Sequence, residues 1–320
     1  MTTATDKPVV LFGGGGFVGR QVAQELLARG YRVRIAQRNP RLAAGIRSLG
    51  NMGQTQFVSV DITDADQVAA ALQGAGAAVN LVGLLKGDFK AAHVIGAGNI
   101  ARAATAAGLE ALVQVSAIGA DPESDSGYGR TKAEGEAAVR AAFPAATIIR
   151  PSIMFGRDDG FTNRFAQLIA TGASMPFQIV PVIRGETRFQ PVHVGDVAEA
   201  IALAVAEPGT FAGKTYDLGG PDVLTLAEIN RWIAGEIGRT PNFLPVPDGA
   251  AKALATVTGF LPAAPITRDQ FLMLLVDNVV ANGAAGFGAF GIRPVPMAAI
   301  APAWLVQYRK HGRFGASVKA

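Results

Sequence analysis

Cysteine is absent from the chain's 320 residues. That removes disulfides, thiolate metal centres and a cysteine nucleophile, and it suits a reducing compartment. Histidine is scarce too. His93, His193 and His311 lie far apart in sequence, so no metal site is expected. Charged residues make up only 17% of the chain, against 49% apolar residues. That balance fills a large core and hints at an apolar partner or a membrane surface. No uninterrupted apolar run reaches the roughly 20 residues of a membrane-crossing helix. The oiliest late stretch, 250–266, is broken by Gly259, Pro262 and Pro265. The polar lead Met1–Lys7 lacks the apolar core of an export signal, so no signal peptide is expected. The net charge of +4 is mild. Its one basic cluster, Arg309, Lys310, His311, Arg313 and Lys319, has no stacking aromatics between its members, which argues against nucleic acid as a partner.

What is present begins at Val9. The buried-strand run Val9–Phe12 leads into Gly13-Gly14-Gly15-Gly16 and then into an amphipathic helix. Gly13, Gly16 and Gly19 form a Gly-x-x-Gly-x-x-Gly spacing between a strand and a helix, the context such a motif requires to hold a dinucleotide. Backbone N–H groups around Gly16, Phe17 and Val18 would face a pyrophosphate at the positive end of the helix. Strand-like runs then alternate with helical ones. Strands are predicted at Val9–Phe12, Arg32–Ala36, Gln56–Val60, Ala77–Leu81, Ala111–Val115 and Thr147–Ile149. Helices are predicted at Phe17–Arg29, Arg41–Leu49, Ala65–Gln73, Ala91–Ala107 and Gly129–Ala142. This rhythm implies an α/β fold: a doubly wound, parallel Rossmann-type sheet with a smaller C-terminal α/β lobe. Residues 1–150 with about 187–220 make the nucleotide domain. Residues 151–186 and 221–320 make the lobe, expected over the cofactor cleft. Beyond Pro151 the pattern predicts helices Phe161–Ala170, Val197–Ala206, Leu226–Ile237, Gly249–Phe260 and Arg268–Val276, with a strand at Lys214–Leu218.

A local absence selects the cofactor. No acid lies between Tyr31 and Asn51, and Gln37-Arg38 closes the second strand where NAD sites usually place an Asp or Glu. Arg38, with Arg41, can pair with a 2′-phosphate. NADP(H) is therefore expected over NAD, although a solvated Arg pair at a helix start has the same pattern. Asp61 and Ile62 follow the third strand. Asp61 can accept from an adenine amino group or cap the next helix, a role that Thr63 or Asp64 suits better. Val82 and Gly83 follow the fourth strand, where backbone passes beside a cofactor. Tyr128 and Lys132 stand one helical turn apart on one face. A Lys ammonium beside a phenol lowers the phenol's pKa and makes Tyr128 a candidate acid or base.

The glycine motif, Asp61, Tyr128 and Lys132 resemble the extended short-chain dehydrogenase/reductase superfamily. So do His93–Asn99, Arg150-Pro151-Ser152 and Pro191–Ala198. The resemblance implies that the segment after Pro151 lies near a nicotinamide. That superfamily places a Ser or Thr shortly after the fifth strand. Here the sequence reads Ser116-Ala117-Ile118-Gly119, the hydroxyl position falls on Ala117 or Ile118, and Ser116 sits early, at the strand end. Losing one polarising donor typically costs about 10²–10³ in rate, so Tyr128 and Lys132 would then serve mainly to hold the nucleotide.

Over the whole chain, Pro265–Gln270, Leu274–Val280, Phe290–Pro294 and Trp304–Arg309 add a second resemblance. It is to the NADPH-binding accessory subunits of respiratory complex I and their bacterial relatives, which hold NADPH structurally near the quinone region and the membrane surface. The resemblance implies complex I subunits as partners and membrane-surface contact through the C-terminal lobe. It also implies a cytoplasmic, peripheral location on the inner face of the inner (plasma) membrane. An excess of Arg over Lys suits a bacterial source. The alternative is an NADPH-dependent reductase or an epimerase/dehydratase using Tyr128 and Lys132.

Overall fold

The computed structural model describes residues 7–175, 177–258 and 266–312. The chain divides into two compact units. The first takes the residues up to Pro151, Val194–Leu218 and Ala281–Arg293. The second takes Ser152–His193, Gly219–Val280 and the chain from Pro294 onward.

The first unit is built on a seven-stranded parallel sheet. Its strands are β1 (Val9–Phe12), β2 (Val33–Gln37), β3 (Thr55–Ser59), β4 (Ala77–Asn80), β5 (Ala111–Val115), β6 (Thr147–Pro151) and, after four short strands of the second unit, β11 (Thr215–Leu218). Their order is β11-β6-β5-β4-β1-β2-β3. The order reverses at β1, which pairs with β2 on one side and β4 on the other. A ligand crevice is expected at the carboxyl ends of strands flanking such a reversal. β1 and β4 are buried at all four positions. Both faces of the sheet are therefore covered there, which is why β1 reads as a continuous apolar run and β4 as one up to its last residue, Asn80. Helix α1 (Phe17–Ala28) packs with α6 (Val194–Ala206). Helices α2 (Ala65–Leu72), α3 (Ala97–Ala106) and α4 (Gly127–Ala142) pack in succession. Val10 and Phe12 share a core with Val68, Leu72, Ile100 and Val139.

Two predicted helices differ from the α form. The segment Pro40–Leu49 is a 3₁₀ helix. Its buried residues, Ala43 and Ile46, are three apart, the spacing that stacks at three residues per turn. The helix predicted from Ala91 opens with a π turn, Lys90–Gly96, before α3 begins. α4 starts at Gly127, two residues before the predicted start, because the Ser126 hydroxyl accepts from the Gly129 N–H at 3.3 Å. That places Tyr128 in the first turn.

The second unit holds three two-stranded pairings. β7 (Met154–Phe155) runs parallel to β10 (Val192–His193), β9 (Arg188–Phe189) antiparallel to β12 (Leu224–Thr225), and β8 (Ile179–Ile183) parallel to β13 (Asn242–Val246). Its core joins Phe155, Ile169, Ile229 and Ile233 to Trp304 and Leu305. These come in part from α5 (Thr162–Gly172) and the helix Leu226–Glu236. The helix predicted at Gly249–Phe260 runs Asp248–Thr258, and Gly259 and Phe260 lie outside the described residues, as do Pro262, Pro265, Arg313 and Lys319.

The late motifs have internal structural work. Asp277 accepts from the Arg188 backbone N–H at 2.8 Å and from its guanidinium. Asn278 Oδ1 accepts from the Ser152 hydroxyl at 2.7 Å and the Ile153 N–H at 2.9 Å. Trp304 stacks on Phe155, and Arg309 Nε donates to the Glu236 carbonyl. Asp277, Asn278, Trp304 and Arg309 thus clasp and fill the core of the second unit. Among the described residues no helix is long and apolar enough to cross a membrane, and no group of side chains could hold a metal ion.

Candidate functional site

Every position singled out from the sequence as a site residue falls in the first unit, at the carboxyl ends of its strands or in the segments that follow them. At the end of β1, Gly13 has φ +76°, a left-handed conformation that favours glycine. Its N–H donates to the Ala36 carbonyl and its own carbonyl accepts from the Gly16 N–H at 3.0 Å. A Cβ at Gly19 would stand 2.5 Å from the Gly14 oxygen, so only glycine lets α1 settle onto this turn. α1 has Gly16 as its N-cap, with no side-chain cap and no acid in its first turn. The orphan N–H groups around Phe17 and Val18 and the positive dipole end make that terminus an anion seat.

The turn is tied to β2 by Gln37. Its Oε1 accepts from the Gly15 N–H at 2.8 Å, and its Nε2 donates to the Asn39 carbonyl at 2.6 Å. Sequence reasoning noted Gln37 only as the residue beside Arg38. The structure makes it the neutral brace of the turn. Arg38 is exposed at the end of β2. Asp61, after β3, accepts from the Thr63 N–H at 2.9 Å and its hydroxyl at 2.8 Å. The Thr63 N–H first, then its hydroxyl and the Arg38 charge, hold the Asp61 carboxyl below the usual range. Asp64, not Asp61, caps α2, accepting from the Asp66 and Gln67 N–H groups. Ile62 is buried, and the carbonyls of Ile62 and Thr63 accept from the Asn99 amide at 3.0 and 3.1 Å.

At the end of β4, buried Asn80 donates to Gln114 and accepts from the Val82 N–H at 3.1 Å. That bond turns the chain so that Val82 abuts Gly13, where an added Cβ would lie 3.2 Å from Val82 Cγ2. A Cβ at Gly83 would lie 3.3 Å from Lys132 Nζ. The glycine turn, the β4 loop and α4 thus converge. Lys132 is buried; its Nζ donates to the Val115 carbonyl at 3.2 Å and lies 5.7 Å from the centre of the Tyr128 ring. Burial brings its pKa down to about 8, with Glu136, one turn on, opposing the shift. Pro151 is joined to this end of the sheet through its carbonyl, which accepts from the Ile118 N–H.

His93, which opens the His93–Asn99 resemblance motif and was otherwise weighed only as a metal ligand, joins the site here. Its Nε2 lies 3.0 Å from the Leu84 N–H. A backbone N–H can only donate, so Nε2 is unprotonated and Nδ1 carries the hydrogen toward Thr131 Oγ1, 2.9 Å away. Burial first, and Lys132 second, hold its pKa down to about 3. The neutral ring stacks on Phe89 and meets the edge of Tyr128. The π turn carrying it lies so close to α4 that a Cβ at Gly135 would collide with the His93 carbonyl.

Ser116 follows β5 directly. Its N–H donates to the Ile149 carbonyl at 2.7 Å, and its buried hydroxyl has no partner among the described residues. The next two residues, Ala117 and Ile118, offer no hydroxyl. Behind Lys132, Glu136 takes a two-point ion pair from Arg150, at 2.8 and 2.7 Å.

A dinucleotide fits these features: a glycine cradle, an uncapped helix terminus, an acid-free β2 end and an orphan buried hydroxyl beyond β5. Residues 9–219 match the NAD dependent epimerase/dehydratase family. The chain is 33% identical over 327 residues to NADH dehydrogenase (ubiquinone) 1 alpha subcomplex subunit 9, mitochondrial, of Arabidopsis thaliana. That match covers 96% of this chain and 80% of the relative. A ceramide reductase of Caulobacter vibrioides is 30% identical over 252 residues, covering 78% and 76%. Among solved structures, the NADPH-dependent quinone oxidoreductase of Escherichia coli complexed with NADPH has the same fold, with a TM-score of 0.74 and 20% identity over 93% of this chain and 99% of that one.

Proposed function

This chain belongs to the NAD dependent epimerase/dehydratase family, and we propose that it holds NADPH as a resident nucleotide and serves as an accessory subunit of respiratory complex I. In this reading the protein sits on the cytoplasmic face of the inner membrane, and its second unit makes the contacts with its partners. The observation that carries the reading is a full nucleotide cradle beside an incomplete reaction centre. The turn at Gly13, Gly16 and Gly19 and the first turn of α1 hold the pyrophosphate. Arg38 meets the 2′-phosphate without a competing acid, Asp61 and Ile62 line the adenine side, and Val82 and Gly83 pass along the nucleotide. Ser116, Tyr128, Lys132 and Pro151 surround the nicotinamide end. When bound, NADPH supplies a hydride. A carbonyl placed there would find the Tyr128 phenol but no second hydroxyl at 117 or 118. The complex I relationship of the Arabidopsis relative supports the partner.

Two measurements test the reading. The tagged protein drawn from native membranes in mild detergent is expected to bring down complex I subunits in fixed proportion, with NADPH bound and not consumed. Arg38→Ala is expected to raise the NADPH dissociation constant about tenfold, the size of one lost charge-assisted pair, and to leave NADH affinity unchanged. Equal loss for both nucleotides would remove Arg38 from the 2′-phosphate. A second reading, a carbonyl reductase, is favoured by Lys132 being buried against the Tyr128 ring and by the ceramide reductase relative. It replaces the first if the protein is recovered alone and oxidises NADPH in the presence of a carbonyl substrate.

A further inference from the structure

Asparagine is followed by glycine at one place only in this chain, Asn282-Gly283. The pair lies in the segment that returns to the first unit after Val280. The Ala284 N–H donates to the Ala281 carbonyl at 3.1 Å and closes a turn around the pair. Gly283 has φ +79°, while Asn282 keeps a negative φ. That is a type II turn, with glycine at the corner that requires it. Residues 281–285 are all exposed, and a Cβ added at Gly283 would meet nothing within 4 Å.

In this setting an asparagine can react with its own backbone. The Gly283 nitrogen, with no side chain beside it as a shield, bonds to Asn282 Cγ and gives up its proton. The Cγ–Nδ2 bond breaks, and the amide nitrogen leaves with that proton as ammonia. Water then opens the cyclic imide at either carbonyl, leaving aspartate or isoaspartate. Water is the only co-reactant, and no redox step is involved. Asn278 is the opposite case. Its Oδ1 is held by the Ser152 hydroxyl and the Ile153 N–H, and the bulkier Val279 follows it.

The shoulders of the turn are pinned. The Val280 N–H donates to Gln190 Oε1 at 3.0 Å, and the Ala285 carbonyl accepts from the Asp217 N–H at 2.8 Å. Gly286 then passes so close to β11 that a Cβ there would lie 3.0 Å from the Asp217 oxygen. This strap delivers buried Phe287 and Phe290, the latter stacked on Phe211 at 4.5 Å. Isoaspartate adds a backbone methylene between the pins and puts a carboxylate into residues 278–292, which carry no charge. Close-packed contacts transmit such a change rather than absorb it. We propose that the Asn282-Gly283 turn is a site of spontaneous deamidation, and that the isoaspartate formed there loosens the strap that follows it. The inference is independent of the nucleotide and of the complex I partner.

The test ages the purified full chain in warm, mildly alkaline buffer, with a synthetic peptide of residues 279–287 alongside to set the intrinsic rate. Peptide mass spectrometry is expected to show a gain of about one dalton, the difference between an amide and a carboxyl group. Fragment ions are expected to place it at 282 and not at 278. An isoaspartyl methyltransferase is expected to label the aged chain and not the fresh one. Asn282→Ala is expected to abolish both signals. Aged parent protein is expected to melt at a lower temperature than fresh, and the Asn282→Ala protein to melt alike before and after ageing. An unchanged mass at 282 over a time that converts the peptide overturns the proposal. Equal conversion at Asn51, which is exposed but precedes Met52, overturns the role given to the glycine turn. Converted protein that melts like fresh protein overturns the loosening of the strap.

Discussion

Glu136→Ala is expected to lower the unfolding free energy by about 3–5 kcal/mol, the cost of stripping one partner from a buried ion pair. Glu136 is 2% exposed and receives both ends of the Arg150 guanidinium. Its hydrogen bonds are the largest influence raising the Arg150 pKa. Without the carboxylate, Arg150 keeps Asp217, a carboxyl that burial already pushes toward its neutral form. Lys132 meanwhile loses the Glu136 charge that opposes its desolvation. Glu136→Gln keeps the shape and part of the hydrogen bonding, so it is expected to lie between the parent and the Ala variant. Chemical denaturation reads all three. A loss under 1 kcal/mol for the Ala variant would mean that water or another group reaches Arg150 once the carboxylate is gone.

Lys132→Met acts in the opposite direction on the fold. The Lys132 amine has its pKa brought from 10.5 to about 8 by burial. Below pH 8 it is protonated in the folded and the unfolded chain alike, and the folded state bears the full cost of the buried charge. Between about pH 8 and 10.5 the folded state gives up the proton while the unfolded chain keeps it, so stability rises with pH through that window. The shift corresponds to about 3 kcal/mol. Lys132→Met is therefore expected to stabilise the ligand-free protein at neutral pH by up to about that amount and to flatten the rise between pH 8 and 10.5. It is also expected to weaken NADPH binding at least tenfold, the effect of one lost charge-assisted contact. Stability curves at several pH values, with a nucleotide titration, check both halves. A variant that is less stable at pH 7 would show that the bond from Nζ to the Val115 carbonyl outweighs the desolvation of the amine.

The first unit was legible in the sequence because a parallel sheet leaves a plain record. Strands buried on both faces are apolar throughout, as Val9–Phe12 is, or nearly so, as Ala111–Val115 is with its one paired Gln114, and glycine punctuates the turn at the ligand end. The glycine turn, the Arg38 end of β2, the β4 loop and the Tyr128–Lys132 pair were legible for the same reason, each standing just beyond a strand that could be located. Gln37 was harder to assign, because its bond to Gly15 joins residues 22 apart and follows no periodicity. The π turn at Lys90–Gly96 reads as ordinary helix, since one extra residue in a turn leaves the apolar pattern intact. β8 and β13 were missed because Pro181 and Pro245 argue against strands. In a two-stranded ribbon both strands are edges, where proline is tolerated. Phe290 entered the sequence reading only through the Phe290–Pro294 resemblance motif, and Phe287 not at all. They join the first unit, Phe290 stacking on Phe211 and Phe287 lying buried, a contact no local pattern announces.

The chain passes between its two units five times, after residues 151, 193, 218, 280 and 293. A ribosome delivers the chain in one direction only. When Pro151 emerges, six strands of the first sheet exist, and the flank of β6 that will receive β11 stands open for more than sixty further residues of synthesis. The aromatic seal from Phe287 and Phe290 arrives later still, well after β11. The nascent protein therefore carries an unpaired strand edge and uncovered aromatic surface through much of its making, the state in which partly folded chains stick to one another. That order of assembly makes a chain stopped before Phe287 the one in which the aromatic surface stays open.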